Sequence, residues 1–460
     1  MTITTEQILA LAPDAAAAKA GSQLSSATKW SGLGSSDQAL WGLCQGSGKD
    51  PYKAQIDLSE PAFKCSCPSR KFPCKHGLGL YLLYAQQQAL FAPAAAPDWV
   101  IAWLDSRQQR AEKVAAKKEA VAEQLDALSP EERAKKEKSQ LKRQEKRLYL
   151  VDGGVEIIER WLSDIAREGV ATLKSKSLKE WDALAARMVD SQASGLATRI
   201  KKIGAMLHQS SKANWEMQIA EELALLAMLV HSYRAIDTLP VPLQADIRSA
   251  IGWSLSQDQV GSGEGVSDLW QVIGARTQVE EKLTVRANYI QGLHTGRIGM
   301  LLQFGAGNQP LPPPLVIGSH RVGEVYFYPS ATPLRVIFSA ELQACEAPIA
   351  STLPQTGSAR DIPALLDRYA DLLAQNPLID EYPFLLEEVT LLSAAGKWLV
   401  CPRDGSAALR VAGNFSNPWK LMSLAGGEAI SLFGLWDGER YLPLSATVNG
   451  VVYSLEEPRA

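Results

Sequence analysis

Apolar residues recur at helical spacing through the middle of the chain. Val155, Ile158, Leu162 and Ile165 lie three or four apart, as do Leu196, Ile200, Ile203 and Leu207, the stripe expected of helices that each bury one face. Ser177-Leu-Lys-Glu180, just before Trp181, Leu184 and Met188, reads as a capping-box start. The run Ile219–Tyr233 continues the pattern, and Pro240 and Pro242 stop it. After Gly261-Ser-Gly-Glu-Gly265 the texture changes. Leu283–Ile290, Met300–Phe304, Glu324–Tyr328 and Leu334–Phe338 predict strands separated by proline-rich turns. A helix is expected over Ile362–Gln375, with further strands at Trp398–Val400, Leu421–Leu424, Ile430–Leu435 and Val451–Leu455. Near the start, Ala54–Leu58 alternates like a strand, and the apolar run Leu78–Ala85 has helical length. No repeat of fixed period is visible.

These patterns predict an α+β multidomain chain: a small ββα-like N-terminal unit over 1–97, a charged helical spacer over 98–150, a helical domain over 151–260 and a β-rich C-terminal domain over 261–460. The spacer rests on charge. From Asp105 to Arg147 there are thirteen Lys/Arg and nine Asp/Glu with few apolar positions, and Ser129-Pro-Glu-Glu132 is a helix start. Mixed signs at this density favour a solvated helical face over a phosphate-binding one. Among the other charged pairs, Asp380-Glu381 and Glu387-Glu388 read as solvated faces, and His208 and His231 as ordinary histidines on helices.

A chain of 460 residues with 46% apolar and 21% charged residues is globular and larger than one core usually serves, so two to four domains are expected. No apolar stretch approaches the ~18 residues of a membrane span. A net charge of −3 argues against polyanion binding by bulk electrostatics. Met1–Ile8 has neither the basic start nor the apolar run of a secretory signal, so a cytoplasmic location is expected.

Cysteine usage supplies the candidate chemistry. Cys65, Cys67 and Cys74 fall within ten residues beside His76, while Cys44, Cys345 and Cys401 are scattered. The spacing C-x-C-x6-C-x-H offers three thiolates and an imidazole, a complete tetrahedral set for one structural zinc. Four protein ligands leave no open position for water or substrate, so such a site folds a segment and performs no hydrolysis. Three thiolates on a dication leave about −1 by simple count, and Lys64, Arg70, Lys71 and Lys75 stand nearby in sequence to offset it. These four cations are the candidate partner-binding residues.

A C-x-C-x6-C-x-H motif that follows a strand and leads into a helix resembles the SWIM zinc finger. With the preceding Leu40–Tyr52, the segment is similar to a bacterial group of SWIM zinc finger family proteins. The resemblance covers residues 65–76 for the motif and 40–90 for the wider finger. It implies DNA or protein binding, and a MoxR-type AAA ATPase or a von Willebrand A protein as partner.

The familiar catalytic patterns are absent from the sequence. Gly46-Ser-Gly-Lys-Asp50 lacks the first glycine of a phosphate loop and the Ser/Thr after lysine, and reads as a hairpin turn. There is no G-x-S-x-G, H-E-x-x-H or strand-following G-x-G-x-x-G. Trp398, Trp419, Trp436 and Tyr441 could line a groove, although core packing is the favoured reading. The expectation is a zinc-binding, non-catalytic interaction protein with a protein partner favoured over nucleic acid. The alternative is an enzyme with an unrecognised C-terminal site that uses the finger for targeting.

Overall fold

The structure, a computed structural model, describes residues 3–46, 48–59, 62–69, 71–126, 129–209, 214–280, 283–306, 311–338, 342–345, 358–359 and 361–456. Its N-terminal unit opens with α1 (Thr5–Ala10) and α2 (Ala15–Ser22), then an antiparallel meander of β1 (Trp30–Ser35), β2 (Ala39–Cys44), β3 (Tyr52–Asp57) and β4 (Ala62–Cys65). Helix α3 (Lys75–Gln86) packs Leu78, Leu80, Leu82 and Leu83 into a core with Ile8, Leu40, Ile56 and Phe63. Gly46 and Gly48–Asp50 lie between β2 and β3, where a hairpin turn is expected.

Two long helices follow, α4 (Asp98–Asp126) and α5 (Pro130–Glu168). The first turns of α4 bury one side: Val100 packs on Ala39 and Trp41, and Arg107 donates from Nε to Asp57 Oδ2 at 2.9 Å. The capping box at Ser129–Glu132 is formed. Helix α5 then runs unbroken from the charged stretch into the bundle core, where Val151, Val155, Ile158 and Ile165 are buried. Around that face pack α6 (Leu178–Asp190), α7 (Ser194–Gln209), α8 (Trp215–Arg234) and α9 (Val241–Ile251), using the apolar stripes the periodicity predicts. The short α10 (Gln257–Gly261) leads into the strands.

The β-rich part contains two rings with the same connectivity. In the first, β5 (Gly265–Glu280), β6 (Leu283–Gly292) and β7 (Ile298–Ala306) form an antiparallel meander. β8 (His320–Phe327) pairs antiparallel with β5, and β9 (Arg335–Phe338) bridges β8 and β7, running parallel to β7. The ring therefore closes in the order β5-β6-β7-β9-β8, with β10 (Gln343–Cys345) added at the edge of β8. After β11 (Ser358–Ala359) and α11 (Ile362–Gln375) comes the second ring: β12 (Tyr382–Ala394), β13 (Lys397–Pro402), β14 (Leu409–Arg410), β15 (Ile430–Trp436) and β16 (Tyr441–Val448), edged by β17 (Val451–Ser454). A parallel bridge from Val411 to Tyr441 closes it. The repetition is of strand order, at unequal spacing.

One element differs in kind from its prediction. Leu421–Leu424 lies in a helix, α12 (Pro418–Ala425), between β14 and β15. Pro418 opens it, where a missing N–H costs nothing, and Gly426 closes it in the left-handed region at φ 58°. The two barrels meet through Ile273 and Tyr289 on one side and Leu385, Phe433, Leu435 and Leu444 on the other. At Gly274 a Cβ would sit 2.7 Å from Phe433, so this approach requires glycine. The fold class is as the sequence suggests: a small N-terminal finger, a helical centre and a β-rich end.

Candidate metal centre

The four motif residues reach one point from two directions. Cys65 ends β4 opposite Ala54 of β3. Beyond it, Ser66 N donates to the Lys53 carbonyl at 3.0 Å, and Lys53 N donates to Ser66 Oγ at 2.9 Å. These bonds extend the pairing by one residue and release the chain into the bend that carries Cys67. From the other side, Cys74 is the N-cap of α3, with extended backbone, and its carbonyl accepts from Leu78 N at 3.0 Å. His76 lies in the first turn of that helix. Unpaired N–H groups at a helix start favour a thiolate there.

Among the described residues, the ligand atoms of Cys65, Cys67, Cys74 and His76 all lie within 4.8 Å of one another. Donors ~2.0–2.3 Å from a shared tetrahedral centre stand roughly 3.5–3.8 Å apart. Cys65 Sγ and His76 Nδ1 are 3.8 Å apart, so the set fits a single zinc ion. Cys74 and His76 are each 5% exposed, and the other two cysteines are half-buried. The ring of Tyr52 lies 4.8 Å from that of His76 and limits its rotation. The thiols already bias one another. Hydrogen bonding from Cys65 pulls the Cys74 thiol well below its ordinary value, the same bond pushes Cys65 up, and burial pushes Cys67 up.

The expected cations are placed unequally. Lys64 on β4 and Lys75 at the start of α3 are exposed. Lys71 is also exposed but pairs with Asp14, the N-cap of α2, whose carboxyl it holds below the usual range. Arg70 lies outside the described residues. The other candidates are brought to separate places. Asp380 pairs with Arg199 at 3.9 Å and Glu381 with Arg276 at 2.6 Å, while Glu388 sits in a bulge of β12 at φ 53°. Trp436 and Tyr441 are core residues; the Tyr441 hydroxyl bonds the carbonyls of Phe384 and Leu432. Trp398 and Trp419 meet edge to face at 5.2 Å. His208 and His231 are exposed on their helices.

One polar cluster has no signature in the sequence. The buried Asp268 carboxylate accepts from the backbone N–H groups of His294 and Thr295, from Thr295 Oγ1 and from His294 Nδ1, the last at 2.7 Å. Burial works against its charge, but these bonds prevail and hold it below the usual carboxylate range. The carboxylate pins the β6–β7 turn, 26 and 27 residues downstream of itself, a pairing no local motif announces.

Comparison with known proteins gives two matches. Residues 57–85 match the family model of the SWIM zinc finger, and residues 142–251 match that of the SWIM-associated four-helix bundle domain. The first spans all four ligands; the second begins inside α5 and ends with α9. Neither a curated protein nor a solved structure matches the chain.

Proposed function

We propose that this SWIM zinc finger protein, with its associated helix bundle, is a zinc-stapled interaction protein whose finger docks a protein partner and performs no chemistry itself. The observation that carries this reading is the closed ligand set: four donors from the chain, within 4.8 Å of one another, fill the shell of a tetrahedral zinc. In this reading Lys64, Lys75 and Arg70 offset the charge of the thiolates, while Lys71 is held by Asp14. The docking face includes Phe72, which is 48% exposed and edge-on to Phe63 at 6.4 Å. Lys71 aside, Lys64 and Lys75 are the exposed cations nearest to it in sequence among the described residues. Phe63 is buried, which leaves Phe72 as the exposed aromatic of the motif. A lone exposed aromatic side chain suits a protein surface better than a run of stacked bases.

The partner we infer is a MoxR-type AAA ATPase or a von Willebrand A protein, met in the cytoplasm. We divide the chain into a finger domain over 1–97, a spacer over 98–150, a helical domain over 151–260 and a β-rich domain over 261–460. Affinity chromatography with the zinc-loaded chain and with a Lys64→Ala/Lys75→Ala variant tests the reading. Recovery of such an ATPase or its companion by the first and not the second supports it. If neither protein is retained by the zinc-loaded chain, the partner assignment is wrong. Finger-dependent binding to duplex DNA, steeply weakened by salt, would favour nucleic acid instead.

A further inference from the structure

The helix bundle is joined to the barrels by contacts of a different kind from those that join the other parts. The two barrels share an apolar cluster around Tyr289 and Phe433. The finger unit takes Val316, from the loop before β8, into its own core. Among the described residues, the bundle core takes one side chain from beyond 261, Leu378. The rest of this joint is polar. Asp246 of α9, half-buried, accepts from Ala331 N at 2.8 Å and from the Ser330 hydroxyl. Both donors belong to the β8–β9 turn. Thr332, the next residue of that turn, accepts at Oγ1 from Asn376 Nδ2 at 3.3 Å, and Asn376 Oδ1 accepts from Leu378 N at 3.1 Å. One turn therefore connects the bundle's carboxylate to the segment that carries Leu378. Arg199 of α7 reaches Asp380 at 3.9 Å, long for an ion pair.

The chain leaves the bundle directly after Ile251, its last core residue, and residues 252–256 have no regular structure. Helix α10 then packs on β8 and β9. Arg147 of α5 holds this connector. Its Nη2 donates to the Gly252 carbonyl at 2.9 Å, and its guanidinium carbon lies 4.6 Å from the ring centre of Trp253. Neither holding group is fully matched. The buried Nε of Arg147 has no partner among the described residues, and Asp246 exchanges water for neutral donors, so that burial pushes its carboxyl up. Small polar joints between domains permit relative motion, whereas large apolar ones suppress it. Hinges are a few residues at the ends of elements. The other tether of the bundle, from Asp126 of α4 to Pro130 of α5, is also a break between helices.

We propose that the helix bundle swings against a body made of the finger unit and the two barrels, with residues 252–256 as the hinge and with Asp246 and Arg147 as the catches that hold it closed. Opening parts Asp246 from the β8–β9 turn and withdraws Leu378 from the bundle. The device is independent of what the finger binds. Hydrogen–deuterium exchange read by mass spectrometry on the full, zinc-loaded chain tests it. Asp246→Ala removes the first catch without weakening α9, since alanine is a good helix former. Exchange should rise roughly tenfold at 330–332 and also at 376–380 and 252–256, which Asp246 does not touch, while α6–α8 and β6 keep the parent's rates. Asp246→Asn keeps an acceptor and should stay close to the parent. Arg147→Met, which retains the apolar stem, should speed exchange at 252–256. The double variant Asp246→Ala/Arg147→Met should show a larger radius of gyration in small-angle scattering. Thermal melts and zinc content equal to the parent's show that each variant is folded. The proposal is overturned if faster exchange in Asp246→Ala is confined to 330–332, if it spreads equally into α6–α8, or if the double variant scatters as the parent does.

Discussion

Gln7 and Ile317, separated by 310 residues, are joined directly: Gln7 Nε2 donates to the Ile317 carbonyl at 2.8 Å. The bond links α1 to the loop that leads into β8. Beside it, Val316 enters the core of the N-terminal unit, so the finger rests on the first barrel despite the helices between them in sequence. Gly318 shows how close the approach is: it has φ +84°, and a Cβ there would lie 2.9 Å from Gln7 Nε2.

Gln7→Glu removes this bond and sets a carboxylate against the Ile317 carbonyl. Gln7 Oε1 also completes the cap of α1 by accepting from Thr4 N at 2.9 Å, and a glutamate keeps that acceptor while removing the donor. A loss of about 1 kcal/mol is expected, read by urea unfolding. A variant as stable as the parent would show that the bond contributes nothing net.

Cys74→Ser should take zinc from about one ion per chain to near none by elemental analysis. Metal binding and folding are linked in such units, on the order of 10 kcal/mol. New proteolytic cuts should appear within 54–90, while the barrels stay resistant. Uniform cleavage along the chain, or none that is new, would contradict this division of stability.

Asp268→Asn should destabilise the first barrel by about 1–3 kcal/mol, because buried donors lose a charged acceptor. The pH dependence follows from the depressed carboxyl of Asp268. A carboxyl lowered by folding contributes stability above its unfolded value of about 4 and loses it as pH falls through the lower folded value. The parent should therefore lose, as pH falls below about 4, an increment that the asparagine variant lacks. Parallel stability curves for the two proteins would refute the assignment.

Gly195→Ala tests the crossing of α7 and α9. In an open helix the change would gain about 1 kcal/mol. Here the added Cβ would collide with the backbone carbonyl of Ala250, and a net loss of about 1–3 kcal/mol is expected. Thermal melting of the variant measures the sign.

Local signals were the legible ones. The stripe from Val155 to Ile165, the capping boxes at Ser129 and Ser177 and the amphipathic run Ile362–Gln375 each depend on residues within a few turns, and each forms. The metal cluster was legible for the same reason, since one hairpin and one helix start supply it. Leu421–Leu424 misled because its short apolar run has strand length, while the proline and glycine that bound it set a helix. The long strands β5 and β12 were concealed by their bulges, which interrupt strict alternation near Gly274 and at Glu388. Ring closure was invisible because it depends on distant partners such as Val411 and Tyr441.

Helix α5 carries a mechanical corollary. Its 39 residues make a rod of roughly 58 Å at ~1.5 Å per residue, with no joint where the polar section gives way to Val151 and Val155. A force on its first turns would pass along one continuous helix to the apolar side chains that pack against α6 and α8.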